Sequence, residues 1–302
     1  MHAHILPAMQ GVRWLSDSFK IYGKAQLRLP LIVLSYLALI FAFIWLGWVG
    51  IFLIFLCDPI FSVSLSNLSR AVERGKTVDP GIVFSGFSSR FKTLLSMGAI
   101  YAGVVAAAVM LSGQLFSLVY GGDQLQKIAS QFSVIKSDAK RINENPKAMN
   151  PGDAKQINEE FKAMVESTQN EPRQTDEEFK AMIEAMTVLF LLTVLLRIPP
   201  SIVFWHAATL VAWHGMPKGK ALFFGLVGCV RNWRAFLTYL VVFFVAVVLL
   251  PNLFLKLLAR FGLEMKALLA LSFVLIVLNM TFWFIGLYVS YRDIFAEADE
   301  PA

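Results

Sequence analysis

The chain has 302 residues, a mean hydropathy of +0.63 and 57% hydrophobic residues, which is far too apolar for a soluble domain of this length. Its net charge of +6 does not indicate a nucleic-acid-binding protein, because the basic residues lie beside apolar runs and form no separate Lys/Arg-rich domain. Cys57 and Cys229 have neither the number nor the spacing of a metal site or a disulfide framework. Composition therefore indicates a membrane protein, and we expect no nucleic-acid partner, no metal and no cofactor.

Six long apolar runs, each near or above the roughly 20 residues that cross a bilayer, predict six transmembrane helices. They cover 29–46, 51–68, 94–119, 186–213, 236–258 and 268–291. Because backbone polar groups in lipid must bond internally, the expected fold class is an all-α membrane protein with a six-helix transmembrane bundle. The predicted divisions are an amphipathic segment (1–28), transmembrane helices 1–3 (29–120), a helical insertion (121–185), transmembrane helices 4–6 (186–291) and a tail (292–302).

The distribution of Lys and Arg predicts the topology. Fourteen basic residues flank one side of the runs, whereas the short loops opposite hold three, Lys256, Arg260 and Lys266. The positive-inside rule therefore places both termini in the cytoplasm and the 121–185 insertion outside. The first helix is expected to be an uncleaved signal anchor. The segment before it, with Trp14 and Leu15 among charges, is expected to lie in the membrane surface with membrane lipids as its partners.

A weak internal repeat relates the two halves of the chain. Each half has a proline in a membrane helix (Pro59 and Pro199) and then a cytoplasmic amphipathic segment. A glycine follows in each half (Gly86 and Gly228), then an aromatic residue with a basic neighbour. Both copies would enter the membrane from the same side, so the predicted pseudo-repeat is parallel rather than inverted. True duplication and two similar hairpins under similar interfacial demands are both consistent with this pattern.

The polar block at 121–185 has its own helical periodicity and tandem similarity. Segment 138–149 matches 153–164 at nine of twelve positions, and Thr175 with Glu178 has the spacing of a capping box. The block is therefore predicted to form two or three helices outside the membrane, the last of which runs into the fourth span. Two alternatives remain open: a docking arm for a protein partner, and a locally expanded insertion without a ligand.

An ionisable residue within the second run is the sharpest functional signal. A charge at the centre of a membrane costs on the order of 3 kcal/mol, so such residues usually pair. Asp58, Ser62, Ser66 and Ser69 share one helix face, which predicts a polar stripe toward the bundle interior.

The predicted partner of Asp58 is Arg197, which precedes Pro199 at the pseudo-equivalent position of the fourth run. We expect the two side chains to face one another as an intramembrane polar pair. A purely structural pair, or an Asp58 that caps the helix after it, is the alternative. His206 and Asn279 are weaker candidates, and packing explains both more simply than proton handling or a pore lining.

Searches for catalytic motifs find no phosphate-binding loop, dinucleotide-binding glycine signature, nucleophile elbow or zinc-binding helix motif. The segments 11–15 (GVRWL), 71–75 (AVERG) and 84–87 (FSGF) instead resemble an uncharacterised family of proteobacterial multi-spanning inner-membrane proteins. The resemblance implies a bacterial inner membrane and carries over no functional residue.

The leading hypothesis is a non-enzymatic integral inner-membrane protein with a scaffold, assembly or lipid-interacting role. The alternative is a small-solute or ion transporter that uses Asp58 and Arg197, and a membrane-embedded enzyme is a third. A water-accessible cavity that reaches Asp58 would favour transport, whereas a tightly packed centre would favour the first hypothesis.

Overall fold

The computed structural model describes residues 3–25, 27–77, 79–88, 90–122 and 174–295. Within these ranges the chain forms helices joined by short turns and no strand. The α-helices are α1 (Gln10–Ala25), α2 (Arg28–Ile44), α3 (Trp48–Glu73), α4 (Ser85–Ser88), α5 (Phe91–Tyr120), α6 (Gln174–Phe204), α7 (Ala207–His214), α8 (Lys218–Arg231), α9 (Trp233–Phe243), α10 (Leu250–Arg260) and α11 (Met265–Phe295). A 3-10 helix covers Pro80–Phe84, and a π-helix, Phe244–Leu249, joins α9 to α10.

Five helical stretches are long and apolar enough to cross a membrane. They are Trp48–Glu73, Phe91–Tyr120, Ile183–His214, Trp233–Arg260 and Met265–Phe295. The predicted first span is shorter than expected, because α2 has 17 residues and a length of about 26 Å, against roughly 30 Å of hydrocarbon. Together α1 and α2 pass as a sixth stretch, but they are bent by 97°. The predicted all-α membrane fold is confirmed, and the number of spans is five or six.

The chain divides into two compact units, each with its own core. The first contains the described residues of Met1–Val104 and Pro199–Ala302, and the second those of Val105–Ile198. In the second, Phe116 and Ala185 are buried against each other, and the hydroxyls of Ser112 and Thr193 lie 3.0 Å apart. These contacts pair α5 with α6 inside that unit.

The predicted insertion is described only at its two ends. The helix α5 ends at Tyr120, before Gly121 with a φ of +83°, and α6 begins at Gln174, beside the predicted capping box. The helix that runs into the fourth span is therefore confirmed. The tandem segments between 123 and 173 lie outside the described residues, and their helical structure stays a prediction.

The amphipathic helix α1 packs its apolar face on the first unit. Trp14 is fully buried, and its ring lies 5.0 Å from that of Phe236 and 6.1 Å from that of Tyr239. Gly11 permits this contact, because a Cβ there would lie 2.3 Å from the carbonyl oxygen of Ala235. The apolar face is thus covered by protein, and the position of α1 in the membrane surface stays a prediction.

Both halves place a short helix against the proline-containing helix through a glycine. In the first half, a Cβ on Gly86 would lie 2.1 Å from the carbonyl oxygen of Ile60. In the second, Gly225 rather than the expected Gly228 makes the approach, and its Cβ would lie 2.9 Å from the carbonyl oxygen of Val203. The pseudo-repeat stays a prediction, which this similarity supports.

Candidate functional site

The predicted serine stripe lies on α3 in the first unit. Ser66 and Ser69 are buried, and Asp58 and Ser62 are half-buried. The Ser69 hydroxyl donates to a carbonyl of its own helix at 3.0 Å, and the Ser66 hydroxyl has no hydrogen-bond partner among the described residues. Neither Ser66 nor Ser69 thus bonds to another described element, and the role of the stripe as a site stays a prediction.

Another serine of α3, Ser64, bonds to a second element and was not predicted from the sequence. Its hydroxyl accepts a hydrogen bond from the Gly86 backbone N–H at 2.9 Å and donates to the Ile60 carbonyl at 3.1 Å. Because Gly86 has no side chain, α4 approaches α3 closely enough for this bond. The spacing of serines along α3 gave no signal for it, since the partner lies 22 residues further along the chain.

Asp58 and Arg197 belong to different units. Asp58 lies in the first unit and is half-buried, whereas Arg197 lies in the second and is exposed. Their pairing as an intramembrane site stays a prediction.

Of the two weaker candidates, His206 is in the core and Asn279 is half-buried. His206 is fully buried, with its ring 5.5 to 5.9 Å from those of Phe236, Tyr291 and Phe295. Neither of its ring nitrogens, nor the Asn279 carbonyl oxygen, has a hydrogen-bond partner in the part of the chain that is described. His206 is thus surrounded by aromatic rings, as expected for a histidine that packs in the core.

A cavity of about 1140 Å³ lies at one end of the first unit. Its walls come from the N-terminal residues, α1, the end of α3, the end of α7 and the end of α11. Among the described residues, five Lys or Arg side chains line it: Arg13, Lys24, Arg70, Arg74 and Arg292. Three acidic side chains of the described residues line it as well: Asp17, Glu73 and Asp293. Basic side chains therefore outnumber acidic ones in the described part of the lining.

The N-terminal residues 3–7, here called the strap, form neither helix nor strand, and three of them line this cavity. The His4 backbone N–H donates to the Ile294 carbonyl at 3.0 Å. The buried Asn232 side chain holds the strap twice, since it accepts from the Leu6 N–H and donates to the His4 carbonyl, both at 2.8 Å. These bonds fix His4, Ile5 and Leu6 along the cavity wall.

Arg292 is the centre of an ion-pair cluster in the cavity floor. Its guanidinium pairs with Asp17 at 3.0 Å, with Asp293 at 2.8 Å and with Glu73. Its side chain is 30% exposed, and those of the three acids are 13 to 25% exposed. Because the acids lie on α1, α3 and α11, the cluster ties together three helices that are distant in sequence.

Neutral donors complete the cluster. Asp293 accepts from the Gln10 amide at 2.6 Å and from the Trp14 indole at 3.0 Å, and Glu73 accepts from the Tyr288 hydroxyl. Each of the six carboxylate oxygens of Asp17, Glu73 and Asp293 thus accepts at least one side-chain donor, since Lys20 bonds the remaining oxygen of Asp17. The carboxylate oxygens of these three acids are therefore bonded to donors of the protein itself.

The electrostatics of Asp17 follow from these contacts. Partial burial on its own would raise the pKa of the Asp17 carboxyl, but the hydrogen bonds from Lys20 and Arg292 and the positive charges of the two side chains outweigh it. The pKa of Asp17 is therefore lowered below its ordinary value. The carboxylate form is thus favoured in the folded protein.

Two of the remaining basic side chains are oriented by neighbouring groups. The Arg70 guanidinium lies 4.7 Å above the Trp213 ring, and that indole donates to the Asn67 side chain at 2.8 Å. The Lys24 ammonium donates to the Glu73 carbonyl at 2.9 Å. Opposite them, His214 and Tyr291 share a hydrogen bond of 2.6 Å. Among the described residues, no three His, Cys, Asp or Glu side chains are placed to hold a metal ion.

This cavity was not predicted from the sequence. Arg292 lies more than 200 residues from its partners Asp17 and Glu73 in the sequence, and hydrophobic periodicity carries no information about such contacts. The available signal was the presence of Asp17, Glu73 and Asp293 in segments that are otherwise basic. Acids in those positions indicate ion pairing at the helix ends.

Comparison with known proteins gives one relative. The chain is 25% identical over 237 residues to a protein of Burkholderia thailandensis named "Probable inner membrane protein BTH_II0599", a match that covers 77% of this chain and 71% of that protein. No family model and no solved structure matches the chain. The apolar helices and this relative identify the chain as an integral inner-membrane protein and confirm the resemblance seen in the sequence.

Proposed function

We propose that this integral inner-membrane protein is non-enzymatic and acts through its cavity by binding anionic lipid headgroups. Of the scaffold, assembly and lipid-interacting roles considered, the lipid-interacting role has the most support. The observation that supports it is the cavity, whose described lining has more basic than acidic side chains and also apolar residues such as Ile5 and Leu6. The headgroup of an anionic lipid would contact the basic side chains, and its apolar part would contact the apolar wall residues.

The position of the cavity supports the same role. The basic residues that line it belong to the segments that the positive-inside rule assigns to the cytoplasm. Anionic lipids give the cytoplasmic leaflet a negative surface potential, worth roughly 1 kcal/mol for each nearby Lys or Arg. A cavity at that level, beside the amphipathic helix α1, would meet headgroups directly.

The transporter alternative has less support. A transporter that uses Asp58 and Arg197 needs a water-accessible path to Asp58, and Asp58 does not line this cavity. The packing of His206 among aromatic rings, with Trp205 and Trp283 4.9 Å apart nearby, favours a filled centre in the first unit. Flux measurements in proteoliposomes test this alternative directly.

The proposed function is tested by thermal unfolding of the intact chain in lipid nanodiscs. We expect a midpoint several degrees higher in nanodiscs that contain phosphatidylglycerol than in phosphatidylcholine alone. The difference should shrink near 1 M salt, where the screening length falls to about 3 Å. Equal midpoints in the two lipids at low salt would contradict the proposal.

A further inference from the structure

Two tryptophans flank the turn that joins α2 to α3. Residues 45–49, here called the tryptophan turn, contain Trp45 after the last residue of α2 and Trp48 at the start of α3. We infer that this turn binds the lipid interface of the leaflet opposite the cavity, with both indole rings among the headgroups. The inference goes beyond the proposed function, because the cavity and the tryptophan turn lie at opposite ends of α3.

The side chains of the tryptophan turn are apolar and exposed. Trp45 is 83% exposed and Trp48 is 86% exposed, and Leu46 and Val49 are more than half exposed. The same exposed apolar surface continues along both helices, on Phe41, Ile44, Ile51 and Phe52. Because the exposed sides of membrane helices face acyl chains, the lipid that covers these residues also reaches the turn.

The amino-acid sequence favours a position outside bulk water. No Asp, Glu, Lys or Arg occurs from Leu29 to Cys57, a stretch that contains nearly all of α2, the tryptophan turn and the first part of α3. By contrast, the loop between α10 and α11 in the same unit has Glu264 beside Arg260 and Lys266. Turns in water are usually built from small polar residues, Gly and Pro, whereas two exposed indole rings would leave a large apolar area hydrated. The composition of the turn therefore favours contact with lipid.

The backbone of the turn favours a position outside the hydrocarbon. The first N–H groups of an α-helix have no intrahelical acceptor. Gly47, the residue before α3, has a φ of +62° and no side chain that could accept from them. Such N–H groups are costly among acyl chains, whereas water in the headgroup region can bond them. The turn is therefore expected at the level of the headgroups.

The length of α2 leads to the same depth. The helix begins at Arg28, whose charge keeps that end at the near headgroups. Its 17 residues extend about 26 Å, whereas the hydrocarbon of a bilayer is roughly 30 Å thick. The far end of α2 can therefore approach the opposite interface but cannot carry the tryptophan turn beyond it. Indole rings prefer this level, because the apolar ring contacts acyl chains while the N–H bonds to water.

Fluorescent labelling of the intact chain in lipid nanodiscs measures this depth. In a background of Cys57→Ala and Cys229→Ala, a polarity-sensitive NBD probe is attached to Leu46→Cys in the turn. The control is a probe on Glu264→Cys, in the loop between α10 and α11. Three quenchers report the surroundings of each probe: aqueous iodide, a phosphatidylcholine with a spin label on its headgroup, and one with the label near the end of an acyl chain.

At position 46 we expect the headgroup label to quench at least about twofold more strongly than the acyl-chain label, and iodide to quench at least about twofold less than at position 264. Equal iodide quenching at the two positions would overturn the inference by placing the turn in water. Stronger quenching by the acyl-chain label would overturn it by placing the turn in the hydrocarbon. Absence of quenching by either lipid would also overturn it, since a second copy or segment 123–173 would then cover the turn.

Further variants test the role of the two tryptophans. Trp45→Leu with Trp48→Leu removes the indole N–H groups but keeps the turn apolar, so the probe at position 46 should lose its preference for the headgroup label. Phe41→Leu with Phe52→Leu, which changes two exposed aromatic residues of the helices, should keep that preference. An unchanged pattern in the tryptophan variant would overturn the role of both indoles. If labelling at position 46 prevents folding, a probe on the exposed Val49→Cys takes its place.

Discussion

The guanidinium of Arg292 lies 3.0 Å from the carboxylate of Asp17, which joins two residues 275 positions apart in the chain. The same guanidinium pairs with Glu73, so α1, α3 and α11 meet at one charged group. These ion pairs hold together three of the helices that line the cavity. It also makes α1 part of the folded bundle, since Trp14 donates to Asp293 in the same cluster.

Loss of the central guanidinium should destabilise the fold. Arg292→Gln leaves three carboxylates close together without their counter-charge, and we expect a loss of about 2 kcal/mol, given partial exposure of the cluster. Thermal unfolding in detergent measures this. The control is Lys20→Gln, because the Lys20 side chain is 71% exposed in its pair with Asp17 and should change stability very little. Equal midpoints for the wild type and Arg292→Gln would show that the cluster contributes nothing to stability.

The stability contributed by Asp17 should depend on pH. Its pKa is lowered in the folded protein, so the contribution is present above the unfolded value of about 3.9 and is lost as the pH falls below it. We therefore expect the wild type to unfold at a higher midpoint than Asp17→Asn at pH 7, with the difference shrinking below about pH 4. Glu264→Gln, in the exposed loop before α11, controls for removal of a carboxylate. A wild-type advantage that grows as the pH falls would contradict the assignment.

Two glycines of α1 give opposite predictions. A Cβ at Gly11 would lie 2.3 and 2.5 Å from backbone atoms of Ala235 and Tyr239, so Gly11→Ala should cost about 2 kcal/mol. Gly23→Ala meets nothing within 4 Å and should be neutral or stabilising by about 0.5 kcal/mol, because alanine favours a helix. Thermal unfolding of the two variants measures both effects. Similar midpoints for the two would show that α1 does not pack on α9 as described.

How much the sequence predicts depends on the range of the interaction. Apolar run length predicted the membrane helices, and the spacing of Thr175 and Glu178 predicted the start of α6 to within two residues, because both signals are local. The packing of α1 on α9 was not predicted, since the burial of Trp14 against Phe236 depends on residues over 200 positions apart. The ion pairs of Arg292 were missed for the same reason.

The predicted pair of Asp58 and Arg197 can be tested without reference to the cavity. Coupled charges should give a non-additive loss of stability, so we expect a double-mutant cycle of Asp58→Asn and Arg197→Gln to show an interaction of at least about 0.5 kcal/mol. Thermal midpoints in detergent supply the four values. Strictly additive losses would remove the pair as a candidate site.

The side of the membrane on which the cavity opens is central to the proposed function, and labelling of single cysteines measures it most directly. The background carries Cys57→Ala and Cys229→Ala, the test position is Thr77→Cys, three residues after Arg74, and the reference is Asn150→Cys. With a membrane-impermeant maleimide, we expect the cysteine at position 150 to be labelled in intact cells. The cysteine at position 77 should be labelled only after the cells are permeabilised. Labelling at position 77 in intact cells, with none at position 150, would place the cavity outside and contradict the binding of cytoplasmic headgroups.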